Sequence, residues 1–217
     1  LSNRVAVQKL SLEDFTARVH RASPEEPFTF QFVIDTFAKE DTTVVKEKKK
    51  SWRVTADDIV LKNGRLSYHV LSEPLTPGVF NASRLNVEDF NFRGQVDFNG
   101  IEEMEAEVKQ LTFRESNAGI NVDKLTAHFR SEGTRFEGDR VTLAMNQTGV
   151  SVTKAYYDTD TKEAGATVRA DQVDPADIAL FTPRFAHLDK PISLNLKAEG
   201  TLPEATLDHI EFRYGPD

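Results

Sequence analysis

The chain has 217 residues, 35 acidic and 27 basic, so its formal charge is 27 − 35 = −8, and it contains no cysteine. Zero cysteine excludes disulfide frameworks, thiolate zinc sites, thiol nucleophiles and cysteine-ligated iron–sulfur clusters, and a pI near 5.2 argues against a nucleic-acid binder, which needs a basic face. With 39% hydrophobic residues and 15 Phe the composition is that of a chain with a core; it contains no apolar run long enough for a membrane-spanning helix, and its start at Leu1 without an initiator Met reads as an internal segment of a longer protein.

From the N-terminus, Val5, Val7, Leu10 and Leu12 set out a pattern that returns along the whole chain: apolar, polar, apolar, polar, polar, apolar, polar, apolar. Residues 11–20 carry helix-spaced Leu12, Phe15 and Val19 behind Ser11, but Phe15, Ala17 and Val19 also alternate, and strand is the preferred reading. Ser23 to Pro27 is a polar turn, and Phe28-Thr29-Phe30-Gln31-Phe32 alternates as a half-buried strand. Residues 39–50 form a charged connection ending in Lys46-Glu47-Lys48-Lys49-Lys50; a solvated loop is the favoured reading, with contact to anionic headgroups as the alternative. The octet returns as Val54, Ala56, Ile59 and Leu61, followed by Asn63-Gly64, a two-residue hairpin signal, and the alternating Leu66 to Val70. Residues 72–79, with Pro74, Pro77 and Gly78, are a loop. No linker divides the chain sharply, so it reads as one β-rich segment over 1–217, with sub-units 1–75 and 76–217 meeting at this loop if it divides at all.

Further copies are Phe80, Ala82, Leu85, Val87; after a second hairpin signal at Asn99-Gly100, Ala106, Val108, Leu111, Phe113; then Ile120, Val122, Leu125, Ala127; Phe136, Gly138, Val141, Leu143; and Val150, Val152, Ala155, Tyr157. Turn formers at 115–119, 131–134 and 146–149 separate the last four, as in an antiparallel meander. Val168, Ala170 and Val173 make a degenerate copy. Asp174 and Pro175 then give a helix cap and first turn for residues 175–181, which Pro183 stops. Ile192 to Leu196 alternates, and Ala205, Leu207, Ile210 and Phe212 close the series.

The two middle positions of all nine octets are polar, which chance would give with a probability on the order of 10⁻⁴. Apolar residues two apart share a strand face, and a step of three would send the next pair to the other face. A β-bulge in the middle restores the phase and bends the strand. The other reading is two flat strands joined by a two-residue turn inside each octet. The bulged reading predicts a mainly β fold, a strongly curved antiparallel sheet of repeated bulged strands with one or two short helices.

Chemistry is scarce. His20, His69, His128, His187 and His209 are separated in sequence and lack metal-ligand spacing. There is no nucleophile elbow, phosphate loop or zinc-protease motif. Asp57-Asp58 and Glu102-Glu103 are sequence neighbours that point to opposite faces rather than across a cleft. Asp158-Thr159-Asp160 starts like a calcium loop but lacks the Gly and closing Glu that pattern needs. The expectation is a protein that is not an enzyme, with no cofactor and no metal. The repeated apolar face either packs into a dry core or lines a groove for acyl chains.

The octets, the run Val54-x-Ala56-x-x-Ile59-x-Leu61-Lys62-Asn63-Gly64-Arg65-Leu66-x-Tyr68, the stretch Pro77-Gly78-Val79-Phe80-Asn81 with Leu85-Asn86-Val87, and the closing segment from Asp177-Ile178-Ala179-Leu180-Phe181 through Gly200-Thr201-Leu202 resemble the AsmA-like superfamily, and within it the TamB-type translocation and assembly modules. The resemblance covers most of 54–214 and implies an internal periplasmic segment of an inner-membrane-anchored protein, built as a β-taco with an apolar interior. It implies a role in lipid passage or outer-membrane protein assembly between the two membranes, without catalytic residues. The implied partners are phospholipid or other acyl chains, neighbouring segments of the same chain and an outer-membrane β-barrel assembly partner, with no nucleic acid. The positions expected to face acyl chains are Val54, Ala56, Ile59 and Leu61; Ala106, Val108, Leu111 and Phe113; Ile120, Val122 and Leu125; Phe136, Val141 and Leu143; and Val150 and Val152. Two other classes stay open: a structural or glycan-binding β-module of a large cell-surface protein, and a glycan hydrolase on a β scaffold, which would need two carboxylates facing each other across a cleft.

Overall fold

A computed structural model describes residues 3–26 and 52–215. The predicted Phe28–Phe32 strand and the charged connection at 39–50 lie outside the described residues. The strands are β1 (Asn3–Val7), β2 (Leu10–Glu13), β3 (Thr16–Arg21), β4 (Trp52–Val70), β5 (Arg84–Phe98), β6 (Glu103–Glu115), β7 (Ile120–Glu132), β8 (Arg135–Met145), β9 (Thr148–Asp158), β10 (Glu163–Val173), β11 (Ile192–Thr201) and β12 (Glu204–Tyr214). One helix, α1 (Pro175–Phe181), and a 3-10 turn at Pro183–Phe185 complete the set. All twelve strands belong to one open, curved sheet. Its order is β1 to β3 on one edge, then β4 through β12 in sequence. The sheet crosses residue 75 without a break, because β4 pairs with β5 along its length.

The octets are bulged strands, not hairpins. Between Ala56 and Ile59, β4 advances three residues while β5 advances two, from Val96 to Gly94. The same mismatch falls at Lys109-Gln110 in β6, at Asp123 in β7, at Asp139-Arg140 in β8, at Thr153 in β9, at Asp171-Gln172 in β10 and at Asp208 in β12. Each bulge absorbs the polar doublet and returns the next apolar residue to the same face.

Three expectations are corrected. Asn63-Gly64 does not reverse the chain: β4 runs through it, with Asn63 at φ 49°. The left-handed residue makes a second bulge, because Asn63 N–H donates to Asn91 Oδ1 (3.0 Å) in β5 and the Phe15 ring lies where a Cβ on Gly64 would sit. A hairpin there would have lost that cover. Asn99-Gly100 does turn the chain, in a loop longer than two residues, closed by Asn99 N–H to Glu103 O (2.9 Å).

The octet read at Phe80–Val87 was out of frame. Phe80 and Ala82 precede β5, whose own repeat is Leu85, Val87, Phe90 and Phe92 around Glu88-Asp89, with Asp89 at φ 50° and the register shift at that doublet.

The meander from β4 to β12 is antiparallel, whereas β1, β2 and β3 run parallel to β4. Val5, Val7, Leu10 and Leu12 sit beside Val54, Ala56, Ile59 and Leu61, octet position on octet position. Parallel neighbours need a long crossover, and residues 22–51 supply the length. Residues 11–20 are strand, as expected, broken at Asp14 (φ 52°).

Helix α1 forms where its signals lie: Asp174 Oδ1 accepts from Ala176 N–H at 2.8 Å, and Pro175 opens the first turn. It packs over one end of the sheet. Leu180 and Phe80 rest on Ala118, Ile120, Val122 and Met145, the buried cluster of the fold, with the Phe80 and Phe181 rings 5.2 Å apart. No helix of the described residues is long and apolar enough to cross a membrane.

Candidate functional site

The register lines the octets up into rows that cross the sheet. One row reads Val7, Ala56, Val96, Ala106, Phe129, Gly138, Ala155, Ala166, Ala198, Leu207, each residue paired to the next. A second reads Leu12, Leu61, Phe92, Leu111, Leu125, Leu143, Val150. Between them run Leu10, Ile59, Gly94, Val108 and Ala127 on one side, and Val141, Val152, Val168, Leu196 and Ile210 on the other. Because bulges in β4, β8, β9 and β12 fall between the same two rows, the rows stay continuous through the bend.

All sixteen positions expected to face acyl chains lie on this one face. Ala56, Ile120 and Val122 are buried and the other thirteen half-buried. Among the described residues, the substantial contacts of every strand are with its sheet neighbours, and Leu180 of α1 with Phe80 covers the end of this face at Ile120 and Val122. The rows differ in bulk: the leucine row is large, while the first row, on the far side of the intervening one, holds five alanines and a glycine.

Sequence reasoning missed the contribution of β5: Phe92 and Val96 belong to these rows and Phe90 continues the same face opposite Gly64, and the polar doublet Glu88-Asp89 was the signal that would have framed them. It also missed two buried carboxylates at the helix end. Glu115 (3% exposed) accepts from the N–H groups of Asn86 (3.2 Å), Asn117 (3.1 Å) and Ala118 (2.7 Å), fixing the β6–β7 turn. Asp177 (5% exposed) accepts from Asn146 Nδ2 (2.9 Å), Gln147 N–H (3.1 Å) and Thr148 Oγ1 (2.7 Å). Asp177 thereby fastens α1 to the β8–β9 turn and closes that end of the apolar face.

The opposite face is polar and ion-paired: Arg53 with Asp97 (2.5 Å), Arg93 with Asp58 (3.1 Å), Arg135 with Glu137 (2.7 Å) and Lys197 with Asp208 (2.9 Å). His128 lies between Asp139 (Nδ1, 3.2 Å) and Glu105 (Nε2, 3.0 Å) on this face. That trio is a cross-strand hydrogen-bonded cluster on the sheet surface rather than a cleft dyad, and no group of three or more such side chains is placed to hold a metal ion among the described residues. A cleft of about 600 Å³ at the end away from α1 is lined mainly by charged residues, including Arg53, Glu103 and Arg130.

Hydrogen bonds from Arg53, Arg135 and Arg140 hold the carboxyls of Asp97, Glu137 and Asp139 below the ordinary range, and backbone N–H groups of Thr161 and Asp160 do so for Asp158. A carboxylate depressed in the fold adds stability above its unfolded value, near pH 4, and that stability is lost as pH falls through the lower folded value. The pairs are exposed, so the contribution is small and screened by salt. Circular-dichroism melts should give a midpoint that is flat at neutral pH and falls below about pH 4, with a weaker fall in high salt.

Compared with protein-family models, curated proteins and solved structures, the chain matches none. The class it defines is therefore the one its own geometry gives: a single-layer, open, curved β sheet with a continuous apolar face closed at one end by a short helix.

Proposed function

We propose that the chain is a periplasmic scaffold segment of an inner-membrane-anchored protein of the AsmA-like, TamB type, whose apolar face forms a groove for lipid passage or outer-membrane protein assembly between the inner and outer membranes. The observation that supports this reading most is the continuity of the apolar rows over a sheet that, among the described residues, is covered only at the α1 end. A single-layer sheet leaves that face to water unless something apolar lies along it, and shielding an acyl chain yields about 0.8 kcal/mol per methylene. The ion-paired outer face keeps the segment in water. The function requires no catalytic residue and no cofactor.

The test is native mass spectrometry of the purified chain incubated with single-chain phospholipids of increasing length. Retained lipid is expected, with affinity rising roughly tenfold for every two methylenes and lost in Leu143→Asp. A chain that takes up no lipid at any length would contradict the proposal and favour a structural module instead.

A further inference from the structure

We propose that the two edges of the sheet are complementary, and that a second copy of this chain docks its β1–β2 edge, in parallel, on β12 of the first. Among the described residues nothing pairs with the outer edge of either. Both edges leave their apolar face open: Leu10 and Leu12 are 50% and 47% exposed, Ile210 and Phe212 55% and 60%. A strand edge with unpaired backbone groups and an exposed apolar face is a template for strand addition.

The fold already shows such a parallel register once, on the inner edge of β1 and β2. β1 and β2 lie parallel to β4 with Val7 beside Ala56 and Leu10 beside Ile59, so the break between β1 and β2 coincides with the bulge of β4. β12 carries the same octet and runs in the same direction across the sheet as β4. Laid on β12 in that register, Val7, Leu10 and Leu12 of the second copy meet Leu207, Ile210 and Phe212, and the break after Val7 meets the bulge at Asp208. On the other face two pairs of opposite charge then cross the joint: Arg4 stands beside Glu204 and Glu13 beside Arg213. A shift by one residue would turn the apolar set to the wrong face and separate these charges. The contact uses different surfaces on the two copies, so it extends the sheet and its apolar face head to tail instead of closing a two-fold dimer. It stands whichever ligand that face takes.

The chain lacks cysteine, so single cysteines can map the joint. Ser11→Cys mixed with Glu211→Cys should give a disulfide-linked dimer under mild oxidation, since paired strands lie within disulfide reach; Ser11→Cys mixed with Thr206→Cys should not. Sedimentation velocity should show association that rises with concentration, weakened about tenfold in Arg4→Glu and recovered when Arg4→Glu is mixed with Glu204→Arg. A chain that stays monomeric up to about 1 mM, the weak end of specific association, would overturn the proposal. So would Glu211→Cys cross-linking to itself as fast as the mixture does, which would mean β12 pairing with β12.

Discussion

Deleting Thr126 should abolish folding, whereas deleting Asp123 three residues earlier should leave a folded chain. Both residues belong to β7 and both are polar. Asp123 is the residue β7 inserts between Val122, which faces Phe113, and Leu125, which faces Leu111. Without it, Val122, Leu125 and Ala127 fall into simple alternation on the same face, and the strand loses its bend but not its phase. Its side chain holds only an exposed bond from Asn121 Nδ2 (2.7 Å). The expected cost is about 1–2 kcal/mol, from mismatch with the bulged neighbours.

Thr126 lies between Leu125 and Ala127, where the alternation is regular. Removing it sends Ala127 (4% exposed) and Phe129 to the polar face and brings His128 and Arg130 onto the apolar one. Reversing half a central strand costs about 5 kcal/mol or more, comparable to the whole stability of a small domain. Urea titrations followed by circular dichroism decide it. Equal effects of the two deletions would contradict the bulged-strand reading.

Asp177→Ala should cost about 3 kcal/mol, because it leaves several buried donors without an acceptor at once. Asn146 Nδ2, Gln147 N–H and Thr148 Oγ1 all point at its carboxylate. Thr148, 7% exposed, also accepts from Asp174 N–H (3.0 Å), so the change loosens the helix cap as well as the turn. Hydrogen exchange should speed up at α1 and at the start of β9 and stay unchanged at β4 and β12. Asp177→Asn keeps an acceptor for one donor and should cost about half as much. If Asp177→Ala melted within about 0.5 kcal/mol of the parent, the latch would have no structural weight.

Period two and the octet made the sheet, its curvature and the single apolar face legible before any coordinates, because burial of one face constrains every strand in the same way. Strand direction was not legible. The octet reads the same forwards and backwards, so Val5, Val7, Leu10 and Leu12 match Val54, Ala56, Ile59 and Leu61 in either sense; only the length of 22–51 carried the information that the pairing is parallel. Asn63-Gly64 misled for a related reason. The left-handed conformation that suits a hairpin also suits a bulge, and the choice was made by distant partners, Phe15 and Asn91, that local sequence does not reveal. Phe80 and Ala82 fitted the octet by chance, since Phe80 is apolar for its contact with α1. Asp177 and Glu115 were invisible as latches, because nothing in their neighbourhood distinguishes an acid that caps a turn across the sheet from one in solvent.

The proposed groove requires that one face of this sheet, and only that face, carry acyl chains. Photo-cross-linking from a benzoylphenylalanine placed at Leu143 or Val152, against Thr142 or Ser151 one position away on the other face, tests it most directly. With a long-chain phospholipid present, adducts are expected from Leu143 and Val152 and not from Thr142 and Ser151. Equal adducts from both faces, or none from either, would contradict it.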